Sequence, residues 1–164
     1  MFYPAAKCVP VLSKFQLLRV LHLELDSFGR QDSECLDLSN RISHLFLLRY
    51  LKVSGFRLKL AKKFGKLQYL MTLDVVANWL DSGNPSLDVT STSSLRHLTL
   101  SCDPTCLELH NGVSKLSNLQ TLCCFDISMN SVGAIRELSE LTNLRALGLE
   151  ASGVPEKKTR KPKL

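Results

Sequence analysis

Long hydrophobic runs are missing from this 164-residue sequence, and so is a recognisable export signal. No stretch approaches the roughly 18 apolar residues that a membrane-spanning helix requires. The N-terminus, MFYPAAKCVPVLSKF, contains Lys7 and a proline, Pro10, that interrupts its apolar run, which makes it a poor signal peptide. These absences argue against membrane insertion and favour a cytoplasmic protein.

The six cysteines do not follow the spacing of a disulfide framework. In the absence of an export signal, we interpret them as reduced thiols. Cys123 and Cys124 fit this interpretation, because neighbouring residues of a strand point to opposite faces. The segment CDPTCLELH brings Cys102, Cys106 and His110 close in sequence, but a proline bends it and no second close cysteine pair completes a zinc tetrad. We therefore expect no metal site.

Motifs for catalysis and for nucleotide binding are absent from the printed sequence. None of its four histidines lies beside a Ser, a Cys or a carboxylate in a known nucleophile motif, and there is no Gly-x-Ser-x-Gly. There is also no Gly-x-x-x-x-Gly-Lys-Ser/Thr phosphate loop. We expect neither enzymatic activity nor a bound cofactor.

The net charge of +6 gives no indication of a nucleic-acid-binding groove. The last nine residues, EKKTRKPKL, carry five of the Lys and Arg residues, so the rest of the chain is only weakly basic. Nucleic acid is therefore not an expected partner. We expect the basic tail to be a solvated, disordered end, although a nuclear localisation signal is the alternative.

One pattern, Leu-x-x-Leu-x-aliphatic, recurs six times along the chain. Its first leucines are 30, 22, 25, 24 and 25 residues apart, which is close to the period of leucine-rich repeats. The copies are Leu18/Leu21/Leu23, Leu48/Leu51/Val53, Leu70/Leu73/Val75, Leu95/Leu98/Leu100, Leu119/Leu122/Cys124 and Leu144/Leu147/Leu149.

Each copy predicts a short strand whose aliphatic side chains point inward. In LRHLTL, for example, Leu98 and Leu100 alternate with the outward residues His97 and Thr99. A single strand of this kind cannot bury its inner face, whereas stacked copies bury it as a parallel sheet. The fold class predicted is therefore an α/β leucine-rich-repeat solenoid of about six repeats, with a curved parallel sheet on the concave face.

A second periodicity precedes most of the strands, with an apolar residue at every third position, as in Ile42/Leu45/Leu48 and Val113/Leu116/Leu119. This spacing predicts short helical or 3-10 turns on the convex face. Only the fourth repeat departs from it, because Thr92 stands at an apolar position. The domain boundaries predicted are an irregular segment over 1–10, the repeats over 11–153 and a basic tail over 154–164.

Longer stretches resemble the leucine-rich-repeat region of intracellular plant nucleotide-binding disease-resistance receptors, most closely the cereal coiled-coil class. The segments that carry this resemblance are FQLLRVLHLEL, ISHLFLLRYLKVSG, LKLAKKFGKLQYLMTLDV, LELHNGVSKLSNLQTL and IRELSELTNLRALGL. The family element L-P-x-x-I-G-K-L is altered, with Ala61 and His110 in place of proline. Among the positions where such repeats often have asparagine, only Asn78 matches, so no continuous asparagine ladder is expected.

The resemblance implies a non-enzymatic module for recognising proteins in plant defence. The partners it implies are a pathogen effector, a guarded host protein or other domains of a receptor. Because the phosphate loop is absent, we interpret the chain as a truncated or partial receptor product. Two alternatives remain: a cytosolic scaffold of the Ras-binding repeat type, whose repeats are usually more regular, and a non-functional receptor remnant.

The outward strand positions form the candidate surface for binding a partner, because repeat proteins normally present this face. Arg19, Arg49, Arg96 and Arg145 recur just before the strands, where we expect their stems to cover apolar surface while their heads stay hydrated. The candidate binding residues are Val20, His22, Glu24, Tyr50, Lys52, Thr72, Asp74, His97, Thr99, Thr121, Cys123, Phe125 and Glu150.

Overall fold

The computed structural model describes residues 9–12, 14–24, 35–37, 42–55, 57–59, 66–77, 79–80, 86–87, 92–102, 108–109, 112–128 and 130–151. Two short helices are α1 (Val9–Leu12) and α2 (Val132–Glu137). The strands are β1 (Val20–Glu24), β2 (Cys35–Asp37), β3 (Tyr50–Ser54), β4 (Arg57–Lys59), β5 (Thr72–Ala77), β6 (Trp79–Leu80), β7 (Ser86–Leu87), β8 (His97–Cys102), β9 (Glu108–Leu109), β10 (Thr121–Asp126) and β11 (Ala146–Glu150).

Six strands form one parallel sheet in the order β1-β3-β5-β8-β10-β11. Each strand contributes the alternating core of one repeat and pairs with the next repeat along the chain. The strand register aligns the second leucine of all six repeats in a single line: Leu21, Leu51, Leu73, Leu98, Leu122 and Leu147. The predicted leucine-rich-repeat solenoid is therefore confirmed, and its repeats stack without a change of register at this position.

Inward leucines of the strands and of the turns meet in one hydrophobic core. In the middle of the sheet, Leu51, Leu73 and Leu98 are at most 1% exposed. The turn leucines pack into the same cluster, as Leu45 and Leu116 do with no exposed surface. Burying a leucine side chain is worth about 1.5–3 kcal/mol, so these repeated positions supply the main stabilisation of the fold.

A tight turn precedes each strand of the large sheet. The 3-10 turns Ile42–His44, Val113–Lys115 and Leu138–Glu140 match the predicted spacing of three. The fourth repeat keeps the same geometry: Thr92 is 1% exposed, and its carbonyl accepts a hydrogen bond from the Leu95 N–H at 3.0 Å. The backbone hydrogen bond of the turn is therefore kept in the fourth repeat, although Thr92 replaces the apolar residue.

Two smaller parallel sheets form in the segments that follow the main strands. One has the order β2-β4-β6 and the other pairs β7 with β9. The third repeat contributes to both, since β6 pairs backward with the second repeat and β7 pairs forward with the fourth. No helix in the described part of the chain has the length and hydropathy needed to cross a bilayer.

The last strand differs from the expected pattern of burial. Leu147 and Leu149 were predicted to be core residues, yet they are 46% and 52% exposed. Their position in the register is as predicted, but β11 is the edge of the sheet. No winding among the described residues follows β11, so these leucines have a packed neighbour on one side only.

Candidate functional site

The outward side chains of the six-stranded sheet are arranged in columns that run across the strands. The first column joins the strand starts: Val20, Tyr50, Thr72, His97, Thr121 and Ala146. The second contains His22, Lys52, Asp74, Thr99 and Cys123, and the third contains Glu24, Ser54, Val76 and Ser101. We call these three columns the outward face.

The outward face is accessible but not uniformly so. Val20 is 60% exposed, and His22 and His97 are also exposed. The candidate Glu150 is exposed as well, but it follows the register shift and lies outside the three columns. The central candidates, such as Tyr50 and Thr99, are half-buried because their neighbours on adjacent strands cover their flanks. This combination of fixed position and partial exposure suits side chains that contact a partner.

Polar contacts between neighbouring columns and strands hold several of these side chains in place. Lys52 Nζ lies 3.8 Å from Asp74 Oδ2 on the adjacent strand. His22 Nε2 lies 3.5 Å from Glu24 Oε2, and His97 Nδ1 lies 3.1 Å from Thr121 Oγ1. Opposite charges across a strand pair add only a few tenths to about 1 kcal/mol, so these contacts fix geometry more than they stabilise the fold.

The fifth strand breaks the predicted alternation of its side chains. The register between β10 and β11 shifts between Leu122 and Phe125, and Cys124 adopts a positive φ of 61°. The predictions that Phe125 points outward and Cys124 inward are therefore wrong. Phe125 is 3% exposed and belongs to the core.

The local sequence accounts for this β-bulge. Phe125 has a much larger apolar side chain than Cys124, so its burial releases more free energy. One residue in the left-handed region costs on the order of 1–3 kcal/mol, which the burial of an aromatic ring offsets. The bulge therefore exchanges a small inward residue for a large one.

The bulge also brings Cys124 to the side chains of the outward face. Its thiol interacts with the Glu150 and Ser101 side chains, and Cys123 and Cys124 are both free cysteines of intermediate exposure. Burial, together with the hydrogen bond and the charge of Glu150, raises the pKa of Cys124 to about 11. The thiol of Cys124 therefore stays protonated at neutral pH and is a poor nucleophile.

The four recurring arginines lie at the starts of their strands, and all four are exposed. Their backbones join adjacent repeats: the Arg19 carbonyl accepts hydrogen bonds from the N–H groups of Arg49 and Tyr50 at 2.8 and 3.0 Å. Successive backbone hydrogen bonds of this kind join the residues that precede the six strands in the order Arg19, Arg49, Met71, Arg96, Gln120 and Arg145. Only Arg19 and Arg49 are therefore arginines in adjacent repeats.

Two of the three residues considered for a zinc site, Cys106 and His110, lie outside the described residues. Within the ranges that are described, no three His, Cys, Asp or Glu side chains come close enough to hold a metal ion. Asn78 and the basic tail also lie outside the described residues.

Sequence reasoning missed two asparagines that join successive turns. Asn118 Nδ2 donates to the Ser93 carbonyl at 2.9 Å, and Asn143 Nδ2 donates to the Ser117 carbonyl at 2.7 Å. They precede the first leucine of their repeats, at a position different from that of the asparagine usual in such repeats. The shared pattern Ser/Thr-Asn-Leu in these two repeats is the signal that identifies them.

A carboxylate also connects the last two turns. Glu137 Oε2 accepts hydrogen bonds from the N–H groups of Gly112 at 2.7 Å and Ser114 at 3.3 Å. These bonds, the one from Gly112 first, lower the pKa of Glu137. Gly112 has a φ of 111°, a conformation that favours glycine, and it starts the turn Val113–Lys115.

Comparison with known proteins agrees with this geometry. The family described as "Leucine-rich repeat region" matches residues 1–163. The chain is 41% identical over 153 residues to disease resistance protein RGA5 of Oryza sativa subsp. japonica, which covers 92% of this chain but 13% of that protein. The resemblance predicted from the sequence motifs is confirmed. The chain belongs to the leucine-rich-repeat family, in the form that occurs in plant disease resistance proteins.

Proposed function

We propose that this chain is a non-enzymatic recognition module of a plant disease resistance receptor and that its outward face binds a protein partner. The observation that supports the proposal is the register of the six-stranded sheet, which aligns outward side chains at the strand starts from every repeat. A partner contacting this face meets residues that are far apart in sequence but fixed relative to one another.

The chemistry of the outward face suits a protein surface of mixed polarity. It combines a tyrosine, Tyr50, with paired charges at Lys52 and Asp74, and no charge of one sign dominates. Aromatic and hydrogen-bonding side chains of this kind are typical of protein interfaces. The partner class we propose is a pathogen effector, a host protein that an effector targets, or another domain of the receptor.

The outward face is small compared with a standard interface. Six strands about 4.8 Å apart and roughly 17 Å long occupy a projected area of about 500 Å², and each partner of a standard interface buries about 800 Å² of accessible surface, a quantity that exceeds the projected area of the same patch. We therefore propose that recognition by this module also uses surface beside the sheet.

The chain spans about 13% of RGA5. The printed sequence has no phosphate loop, so a nucleotide-dependent switch, where one operates, is supplied by another domain or protein. We propose that the chain is a partial receptor product whose binding is converted to a signal elsewhere, and that it acts in the cytoplasm.

Charge reversal on the outward face tests this proposal. The tagged full chain is expressed in plant cells, and the proteins that purify with it are quantified for wild type, Lys52→Glu and Asp74→Lys. Lys115→Glu is the control, because Lys115 is exposed on a turn away from the outward face. We expect both outward-face variants to lose partners that the control retains. If every partner survives both reversals, the outward face is not the recognition surface.

A further inference from the structure

The turns that precede the strands differ in chemistry between the two halves of the solenoid. Each turn has two residues at its tip, three and four positions before the first outward residue of the strand. In repeats one to three these pairs are Gln16–Leu17, Phe46–Leu47 and Gln68–Tyr69. In repeats four to six they are Ser93–Ser94, Ser117–Asn118 and Thr142–Asn143.

The polar pairs of the second half have an evident structural role, since Asn118 and Asn143 bond to the carbonyls of the preceding turns. Each turn of the first half instead exposes one large apolar side chain to solvent, whereas Leu47, the neighbour of Phe46, is half-buried. Leu17 is 80% exposed, Phe46 is 49% exposed and Tyr69 is 54% exposed. Burial in the core therefore does not account for these three side chains, and an exposed cluster of large apolar groups marks a site of interaction.

Basic residues accompany the apolar ones, and acidic residues do not. The segments 14–20, 42–50 and 66–72 contain no Asp or Glu. Arg19, Arg49 and Lys66 are exposed within them, and in the described part of the chain none of the three forms an ion pair. Because β1, β3 and β5 are adjacent, the three turns lie within roughly 10 Å of one another at about 4.8 Å per strand.

We propose that this edge, formed by Leu17, Phe46, Tyr69, Arg19, Arg49 and Lys66 and named here the apolar–basic edge, is a second binding surface. Its occupant is a protein segment that carries Asp or Glu beside Leu or Phe side chains. The acidic groups of the segment pair with the unpaired cations, and its apolar groups cover the exposed ring and leucine surfaces. This surface is separate from the outward face and supplements the area that the sheet lacks.

The composition of the edge favours a protein over a lipid or nucleic-acid surface. Aromatic residues and arginine, which supply four of the six residues of the edge, are enriched in protein interfaces. Binding to anionic membranes or to nucleic acid relies on larger clusters of Lys and Arg. Counting Lys14 and Phe15, which are also exposed, the three segments present four exposed Lys and Arg side chains beside four exposed Leu, Phe and Tyr side chains. Apolar surface is therefore as prominent as charge, which matches the composition of a protein interface.

The test begins with selection of short random peptides on the full chain, followed by fluorescence anisotropy with the most enriched peptide. One variant, Leu17→Ser/Tyr69→Asn, introduces residues found at the same turn position in repeats four to six. A second, Arg19→Glu/Arg49→Glu, reverses the charge. Its matched control is Arg96→Glu/Arg145→Glu, which changes exposed arginines at the same repeat position in the other half. Circular dichroism verifies that each variant is folded.

We expect the enriched peptides to combine Asp or Glu with Leu or Phe. Both edge variants should weaken the selected peptide by at least about tenfold, and the matched control should change its affinity by less than about twofold. Lys52→Glu should leave this binding unchanged, so the edge and the outward face are tested separately.

Four results would overturn the proposal: no enriched peptide, enriched peptides without acidic residues, equal loss in the matched control, or retention of binding by both edge variants. Sedimentation with phosphatidylserine vesicles provides the remaining arm. If the wild type binds these vesicles and no acidic peptide, the edge is a lipid-binding surface and not a protein-binding one.

Discussion

Replacing one core leucine at the centre of the sheet and its counterpart at the edge should have very different consequences. Leu98 and Leu147 occupy the same position in their repeats, and both precede an x-Leu pair. Leu98 is 0% exposed between Leu73 and Leu122, whereas Leu147 is 46% exposed and has only Leu122 beside it in the register. The substitutions Leu98→Ala and Leu147→Ala thus compare one chemical change in two packing environments.

The size of each effect follows from burial. Truncating a fully buried leucine costs about 2.7–5 kcal/mol, because transfer free energy is lost and a cavity remains. Leu147 already exposes nearly half of its surface, so Leu147→Ala should cost about 1 kcal/mol, with no closed cavity. Urea denaturation followed by circular dichroism measures the free energy of unfolding of both variants. Equal losses would refute the argument that adjacent windings shield each inner residue from water.

Three further predictions concern the contacts that join neighbouring repeats. Asn118→Ala should lower the free energy of unfolding by about 0.5–1.5 kcal/mol in urea denaturation, because the hydrogen bond to the Ser93 carbonyl is lost; an unchanged midpoint would contradict this role. In a Cys123→Ser background, Cys124 should react slowly with iodoacetamide at pH 8, because its pKa is raised to about 11. Glu150→Gln should accelerate this reaction, which mass spectrometry measures. Identical rates in the two proteins would show that Glu150 does not hold the thiol protonated. Glu137→Gln should destabilise the protein at pH 7, because the hydrogen bonds from Gly112 and Ser114 stabilise the carboxylate and lower its pKa in the folded state. The difference in the free energy of unfolding between the variant and the wild type should therefore shrink as the pH falls through the folded-state pKa. A difference that is independent of pH would argue against these two bonds.

The leucine pattern of the sequence predicts the large sheet because it combines a local period of two with a long-range period of about 25 residues. Leu51, Leu73 and Leu98 are buried and in register, as that pattern requires. The exposure of Leu147 is different in kind. It depends on whether a further winding covers the strand, and the local pattern carries no information about that.

The β-bulge could not be predicted from alternation alone, because TLCCFD offers an apolar residue at two adjacent positions. Alternation assigns Cys124 to the core, whereas the free energy of burial favours Phe125. Comparing the sizes of the two side chains would have suggested the shift. Most of the candidate site was predictable, because the outward positions follow from the alternation in each strand. The exceptions are Phe125, which is buried in the core, and Cys124, which lies beside the outward side chains.

The asparagine position usual for this kind of repeat does not predict the hydrogen bonds between turns, because Asn118 and Asn143 lie at a different position. The structure places the amides of Asn118 and Asn143 before the strands, where they reach the previous turn. The contrast between these polar turns and the apolar turns at Leu17 and Tyr69 becomes visible only when the turns are superimposed by repeat. Partner identity is not encoded in one sequence, because outward residues are chosen for complementarity to a surface outside the chain.

Position-specific photo-crosslinking tests the central claim, recognition through the outward face, most directly. A photoreactive amino acid is placed in the full chain at Tyr50, Thr72, His97 or Thr121, and in parallel at the turn positions Ser93, Ser117 or Thr142. In plant cells, the sheet positions should capture the same protein with high yield, and the turn positions should capture little of it. Equal capture at both sets, or capture at the turns alone, would contradict the account.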